Sequence, residues 1–296
     1  MTTSTGPLHR EITECFANLP HQLQVAARFL LDRPRDVALL SMREQAKRAG
    51  VPPATMTRLA GRLGFSGYDE IRLLYAESLR RGTDGFSDRA RDLADRYRRG
   101  GDVPVAVELF EIVAQQVEAL SAGEILQTLS TAAKGIGTAR RVFVLGQRSS
   151  YPVAYQFAYL CGLIGCDTRL VDGPGGIGVD VLESGDHTDV LLVVSIRPYA
   201  RESLTIAQHA ACRGIPIVTI TDSLTSPFAS IAAVSIIVGV ESPSFFHTMA
   251  PAFAAAEATA ALVAAQKADS ARDALSKREQ EFERLQLLLM QRGSHT

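Results

Sequence analysis

Three short stretches of this chain carry residue types whose spacing points to chemistry. In the first, Pro53, Ala54, Thr55, Thr57, Arg58 and Arg62 lie along a short predicted helix with few acids nearby. Hydroxyls and guanidinium groups in that arrangement donate to base edges and phosphate oxygens of a duplex. The second is Gly146-Gln147-Arg148-Ser149-Ser150, which follows an apolar run and precedes a helix. A helix N-terminus offers unpaired backbone N–H groups and positive partial charge, which suit a phosphate or carboxylate. The third is Ser195-Ile-Arg197-Pro-Tyr199-Ala-Arg201-Glu202, again between an apolar run and a helix. Guanidinium groups such as Arg197 and Arg201 hold carboxylates or phosphates through paired hydrogen bonds. Each stretch also has a plainer reading. The first is compatible with a structural helical hairpin. Ser149 and Ser150 are suited to cap the next helix, and Arg201 to pair with Glu202 or another local acid.

Catalytic candidates are thin. His187, His209 and His247 are isolated in sequence. They read as solvent-facing or structural, with Glu241 and His247 kept as candidate ligand contacts near a strand exit. A general acid–base pair needs closeness in space that spacing alone does not give, so no catalytic set is assigned. Gly135-Ile-Gly137 precedes its strand instead of following it, the wrong context for a dinucleotide site, and there is no phosphate-loop motif. Cys15, Cys161, Cys166 and Cys212 form no Cys-x-x-Cys pair and have no histidine cluster beside them. They read as reduced, packed thiols rather than zinc ligands. No cofactor or metal is expected.

The elements that must position these residues follow from periodicity. Ser41 is a good N-cap for a helix over Met42–Ala49, and Gly50 suits the left-handed residue that ends it. Pro53 stands where the next helix opens, a position that tolerates a missing N–H. Helix, glycine turn and a polar-basic second helix make the pattern of a helix-turn-helix. From Val105 the pattern changes. Helices over Val105–Leu120 and Gly123–Ala133 lead into apolar runs at Arg141–Leu145, Thr168–Val171, Asp189–Ser195, Ile215–Thr221 and Val234–Val240. Helices over Pro152–Ile164, Arg201–Arg213 and, briefly, Pro227–Ile231 separate them. Short apolar strands alternating with helices predict a parallel sheet covered on both faces. Residues 250–291 read as mostly helical, with Leu275, Phe282, Leu285 and Leu289 on one seam.

Composition agrees with two domains in 296 residues. Residues 1–82 hold 12 Lys/Arg against 8 Asp/Glu, a net +4, which leaves −5 of the chain's total of −1 for the remainder. A basic small domain joined to an acidic larger one fits a DNA reader attached to a sensor. The start of the chain lacks an apolar signal core, and no run reaches the roughly 20 apolar residues of a membrane helix. The expected setting is cytoplasmic, away from membranes. The division expected is 1–81 for the helix-turn-helix domain, 82–104 for a charged linker, 105–265 for the α/β domain and 266–296 for a C-terminal helix and tail.

The two halves together resemble the RpiR family of bacterial transcriptional regulators, which join a helix-turn-helix to a sugar isomerase (SIS) domain. In the first half the resemblance rests on SMREQAKRAGVPPATMTRLAGRLGFSGYDEIR. In the second it rests on VFVLGQRSSYPVA, DVLLVVSIRPYARES and IPIVTITDSLTSPFASIA. It implies an α + α/β protein: an all-helical domain followed by a doubly wound, five-stranded parallel sheet. It also implies a homodimer or homotetramer on a palindromic double-stranded DNA operator, and an effector of phosphosugar type. The family's second loop reads Ser-x-Ser-Gly-x-Thr-x-Glu. Ser195 and Glu202 match it, whereas Arg197, Pro198 and Ala200 stand in place of Ser, Gly and Thr. The residues therefore point to a small anionic metabolite, a phosphosugar or sugar acid, held partly by arginines. The alternative is a sugar-phosphate isomerase or lyase of the same fold, and a weaker one is a protein–protein adaptor.

Overall fold

The computed structural model describes residues 8, 12, 15–16, 19–80, 86–171 and 174–287. The chain divides into two compact units. The first takes the described residues up to Ala114 together with 223–225 and 241–248, and the second takes the rest.

In the first unit, helices α1 (His21–Asp32), α2 (Pro34–Leu39), α3 (Met42–Ala49), α4 (Pro53–Arg62) and α5 (Tyr68–Arg80) surround one apolar core. The Ser41 hydroxyl accepts from the Glu44 N–H at 3.3 Å and opens α3. Gly50 closes it in the left-handed region at φ 71°. The Val51 N–H then reaches the Ala46 carbonyl at 3.0 Å, which aims the chain into α4. Ala46, Met56, Leu59, Ala60, Tyr68 and Ile71 are buried between these helices.

Gln45 is a polar residue at the centre of that core, with no exposed surface. Its Nε2 donates to the carbonyls of Val37 at 3.0 Å and Leu40 at 2.9 Å, at the end of α2. Its Oε1 accepts from the Tyr68 hydroxyl at 2.6 Å. Burial pushes the Tyr68 phenol above its ordinary pKa, so it stays a donor. One amide thus joins α2, α3 and α5.

The stretch read as a linker is largely helical. Residues 86–100 form α6 (Phe86–Gly100), Asp102 opens α7 (Asp102–Glu118), and residues 82–85 lie outside the described residues. Ala90, Leu93, Ala94 and Tyr97 of α6 face Val105, Ala106 and Leu109 of α7 across a groove. Arg96 pairs with Glu108 at 3.1 Å. The sequence already allows a helix over Ala90–Arg99, and the structure extends it to Phe86–Gly100.

The second unit holds α8 (Gly123–Thr138), β1 (Val142–Gly146), α9 (Tyr151–Leu163), β2 (Thr168–Leu170), β3 (Val190–Val194), α10 (Arg201–Cys212), β4 (Ile217–Thr221), β5 (Val234–Ile237) and α11 (Ala250–Arg284). The strands form one all-parallel sheet in the order β2-β1-β3-β4-β5. Alternate strand residues feed opposite cores. Val142, Val144, Leu192 and Val194 pack against α8, α9 and α11, whereas Phe143, Leu145, Leu191 and Val193 pack against α10. Pro227–Ile231 is a pair of turns rather than a helix. The α11 axis breaks at Ala268, whose φ and ψ are 27° and −92°. Of the seam expected there, Leu275 and Leu285 are exposed and Leu289 lies outside the described residues. Among the described residues no helix is long and apolar enough to cross a membrane.

Tyr68→Phe removes the donor to Gln45 Oε1 and leaves a buried acceptor unpaired. The expected loss is about 1–3 kcal/mol in the unfolding free energy of the helical unit, read by urea titration. An unchanged midpoint would show that the amide does not hold these helices together.

Candidate functional sites

Helix α4 is built so that one face is core and the other is open. Met56, Leu59 and Ala60 point inward, and Pro53, Ala54, Thr57, Arg58 and Arg62 are exposed. Pro53 stands at N1, where its fixed φ favours the helical start. Among the described residues Arg58 and Arg62 form no ion pair, so both charges are available to a polyanion. Thr57 Oγ1 lies 3.6 Å from Met42 Sδ on α3.

Thr55 differs from the expectation that it faces a base or phosphate. It is fully buried, and its Oγ1 accepts from Arg58 Nη2 at 3.2 Å. At 3.6 residues per turn, position 55 lies beside 58 and 59, and it shares the buried side with Met56 and Leu59. Its hydroxyl is therefore spent on aiming Arg58. The spacing of threonines and arginines was legible in sequence, but which threonine faces the core was decided by packing.

In the second unit the first loop leaves β1 at Gly146. A Cβ there would fall 2.7 Å from the Ser150 carbonyl oxygen and 2.7 Å from the Ala154 Cβ. Only glycine lets the turn fold so tightly onto α9. Arg148 occupies the left-handed region at φ 53°, a conformation that non-glycine residues rarely hold outside functional loops. Residues 148–150 make a 3-10 turn that runs into α9, with the Ser150 N–H on the Gln147 carbonyl at 3.0 Å. Gln147 and Ser149 are half-buried, Ser150 is buried and Arg148 is exposed. Ser150 stands at the N-cap of α9 but makes no side-chain capping hydrogen bond. Capping alone therefore does not account for this serine.

The second loop leaves β3 at Ser195, which is buried. Ala200 is the N-cap of α10, and no side chain caps that helix either. Arg201 and Glu202 are exposed in its first turn, and no ion pair joins them among the described residues. Ser203 Oγ, buried in the same turn, donates to Gln147 Oε1 at 2.6 Å and ties the two loops together. Arg197 is turned toward Asp222 at the end of β4. Its Nε lies 2.5 Å from Asp222 Oδ2, and its backbone N–H donates to Oδ1 at 3.3 Å. The Tyr199 hydroxyl donates to the same Oδ1 at 2.9 Å. The Asp222 carboxylate has no exposed surface, whereas the Arg197 side chain is 44% exposed. Burial, then the Asp222 charge, pushes the Tyr199 phenol above its ordinary pKa.

Gly146 of β1 and Val194 of β3 are register partners, so the two loops start side by side. Helix α9 packs on one face of the sheet and α10 on the other. This is the point at which the strand order reverses, the crevice where open parallel sheets bind ligands. Two helix N-termini without side-chain caps meet there. Asp222 and Ser203 belong to this site and were not among the residues expected. The Ile-Thr-Asp-Ser tract after β4 was the available signal for Asp222, and nothing in sequence singled out Ser203. Glu241 and His247 fall in the other compact unit. There His247 Nδ1 lies 3.3 Å from Arg89 Nη1 and accepts from it, and Phe246 stacks on Phe86 at 5.1 Å. Glu241 is exposed.

Two family models match this chain. The helix-turn-helix domain of the rpiR family spans residues 10–82, and the SIS domain spans residues 136–265. The chain belongs to the RpiR family. Among solved structures, the sugar isomerase domain of an RpiR transcription factor from Sphaerobacter thermophilus is 22% identical, with a TM-score of 0.55 over 60% of this chain and 98% of that one. The Vibrio vulnificus NanR protein, complexed with ManNAc-6P, is 20% identical, with a TM-score of 0.52 over 94% of this chain and 98% of that one. Both likenesses are of fold. No curated protein sequence matches the chain.

Arg197→Ala leaves the buried Asp222 carboxylate without its cation, and Tyr199 alone does not compensate it. The expected cost is about 1–3 kcal/mol in the stability of the SIS unit. Arg201→Ala, an exposed substitution, should stay within about 0.5 kcal/mol of the parent. Denaturant titration of the two variants checks the contrast. Equal stability would show that Asp222 does not need Arg197.

Proposed function

We propose that this RpiR-family chain is a transcriptional regulator that reads DNA through α4. Its SIS unit senses a small anionic metabolite of the phosphosugar or sugar-acid type. The observation that carries the effector reading is the pair of uncapped helix N-termini at the neighbouring ends of β1 and β3. Such N-termini bind an anion through backbone N–H groups and positive partial charge. Gln147, Ser149, Ser150 and Ser195 supply polar contacts around them, and Arg148 and Arg201 add exposed charge at the rim. Arg197 acts mainly through Asp222 in this reading and through it shapes the second loop. That shifts the preference toward a phosphosugar, because the phosphate falls to the helix N-termini. The ManNAc-6P held by the NanR protein is of that chemical class.

In the DNA-binding half, Arg58 and Thr57 face bases or adjacent phosphates, with Pro53, Ala54 and Arg62 beside them. Two or four copies acting on a palindrome would place one α4 in each half-site. Tyr151, Tyr155 and Tyr159, exposed at four-residue spacing on α9, offer an apolar stripe for a second copy. The protein works in the cytoplasm on this reading, as a regulator and not an enzyme. An isomerase would leave the basic exposed face of α4 without a role.

The test is a mobility shift on DNA upstream of the gene and its neighbours, at several salt concentrations. Arg58→Ala should weaken specific binding about 5- to 150-fold, the equivalent of about 1–3 kcal/mol. The fold should remain unchanged by circular dichroism. Unaltered affinity would remove α4 as the reading helix.

The effector half is tested by thermal shift with pooled sugar phosphates, sugar acids and the neutral parent sugars. Only the charged pools should raise the melting temperature and alter the mobility shift. A response to neutral sugars equal to that of their phosphates would overturn the anion site. Turnover of an aldose or ketose phosphate would move the assignment to an isomerase.

A further inference from the structure

Cys161 and Cys166 are five apart in sequence, a spacing that reads as simple packing. Their backbone places them differently. Helix α9 ends at Leu163, and Gly165 turns the chain in the left-handed region at φ 80°. The Cys166 N–H then donates to the Cys161 carbonyl at 3.0 Å. This six-residue closure brings the side chains of its first and last residues together, where most proteins put an apolar contact. Here both residues are thiols, so the closure sets the two side chains side by side at the end of α9.

The two sulfurs are not equivalent. Cys161 is fully buried in the core beneath α9, whereas Cys166 is half-buried and meets solvent. The neighbouring Cys161 thiol holds the Cys166 thiol below the usual thiol range, and the positive charge of Lys267 on α11 acts in the same direction against burial. The same proximity and burial hold Cys161 well above the usual thiol range, so it keeps its proton. Lys267 is positioned by its Nζ, 3.5 Å from the Gly137 carbonyl. A partly exposed sulfur beside a cation, with a protonated thiol alongside, is the environment of a reactive cysteine and its resolving partner. Cys212 is more exposed, and Cys15 donates its S–H to the Ile12 carbonyl at 3.5 Å. Neither touches a second thiol among the described residues.

We propose that Cys166 and Cys161 form a hydroperoxide-reactive pair, with Cys166 attacking and Cys161 resolving. The Cys166 thiolate attacks one oxygen of the hydroperoxide. An S–O bond forms, the O–O bond breaks, and the departing alkoxide or hydroxide takes up a proton. Cys166 is then a sulfenic acid, oxidised by two electrons, and the hydroperoxide is reduced to an alcohol or water. The Cys161 sulfur gives up its proton and attacks the Cys166 sulfur. The S–S bond forms, the S–O bond breaks, and water leaves. The product is a disulfide across the end of α9.

The turn has little slack to absorb that bond. A Cβ on Gly165 would fall 3.0 Å from the Ala274 Cβ of α11, so the turn lies directly on that helix. Drawing the two sulfurs to a bond of about 2.0 Å moves the turn against α11, close to its break at Ala268. The other end of α9 begins at the anion loop, which places the thiol pair and the effector site on one helix. The chemistry of the pair does not depend on what that site binds.

The experiment uses the reduced, full-length protein treated with hydrogen peroxide and then blocked with N-ethylmaleimide. Trypsin leaves both cysteines in the single peptide 149–169. The expected product is that peptide lighter by two hydrogens and carrying no maleimide, restored to two maleimides by dithiothreitol. Cys212→Ser should not alter it. Cys161→Ala should abolish the link and leave a dimedone-trappable sulfenic acid on Cys166. The wild-type digest decides the matter even if that variant folds poorly. A peptide 149–169 with two maleimides while Cys212 is oxidised would overturn the proposal. So would Cys166 accumulating as sulfinic acid without a link to Cys161.

Discussion

The reversal of strand order between β1 and β3 is the constraint on which the SIS half depends. Strands run outward from this pair in both directions, so α9 must leave to one face and α10 to the other. The two connections then diverge and leave a crevice between their first turns that neither fills. Several polar residues of the second unit are arranged around that switch point. Gly146 lets the first loop turn against the backbone of Ser150 without a clash. Ser203 holds Gln147 across it. Asp222 enters from the adjacent β4 and fixes the second loop through Arg197 and Tyr199. In an open parallel sheet, this switch point is where ligands bind, outside the carboxyl ends of the strands.

The helical half is governed by a different economy. Its core is small, and one buried amide, Gln45, joins elements that apolar contact alone would let slide. A polar network of this kind is worth little net energy when complete but costs much when broken, and so it fixes a single arrangement. That arrangement sets the face that α4 presents. Thr55 inward and Arg58 outward are consequences of how α4 seats on this core, and a hydrogen bond joins the two side chains.

Two charged arginines show how position decides role. Arg197 and Arg201 lie on one loop and both invite an anion on paper. One is committed to a buried carboxylate, and the other stands at the mouth of a helix. The substitution of Arg, Pro and Ala for the hydroxyl-rich family loop thus adds an internal ion pair in place of donors. In the cysteines the same principle appears in reverse. A pair that spacing would assign to packing becomes chemically distinctive because the helix end folds one thiol back onto the other.

The sequence by itself determined the division into a basic helical part and an α/β part. It also determined the five parallel strands and the two loops that leave β1 and β3. Those follow from local rules: apolar period, glycine and proline at turns, and hydroxyls at helix starts. It left residues 82–104 as a charged linker that could be helical over Ala90–Arg99, because charges outnumber the apolar residues that pack against α7. The rest was decided only in three dimensions. Thr55 and Arg58 differ by less than one helical turn, so only the seating of α4 could put one inside and one out. Asp222 and Arg197 are 25 residues apart and meet because β3 and β4 are register partners. Ser203 reaches Gln147 across 56 residues for the same reason on the other side of β3. Contacts of that kind depend on strand order, and strand order is a property of the whole sheet that no single segment encodes.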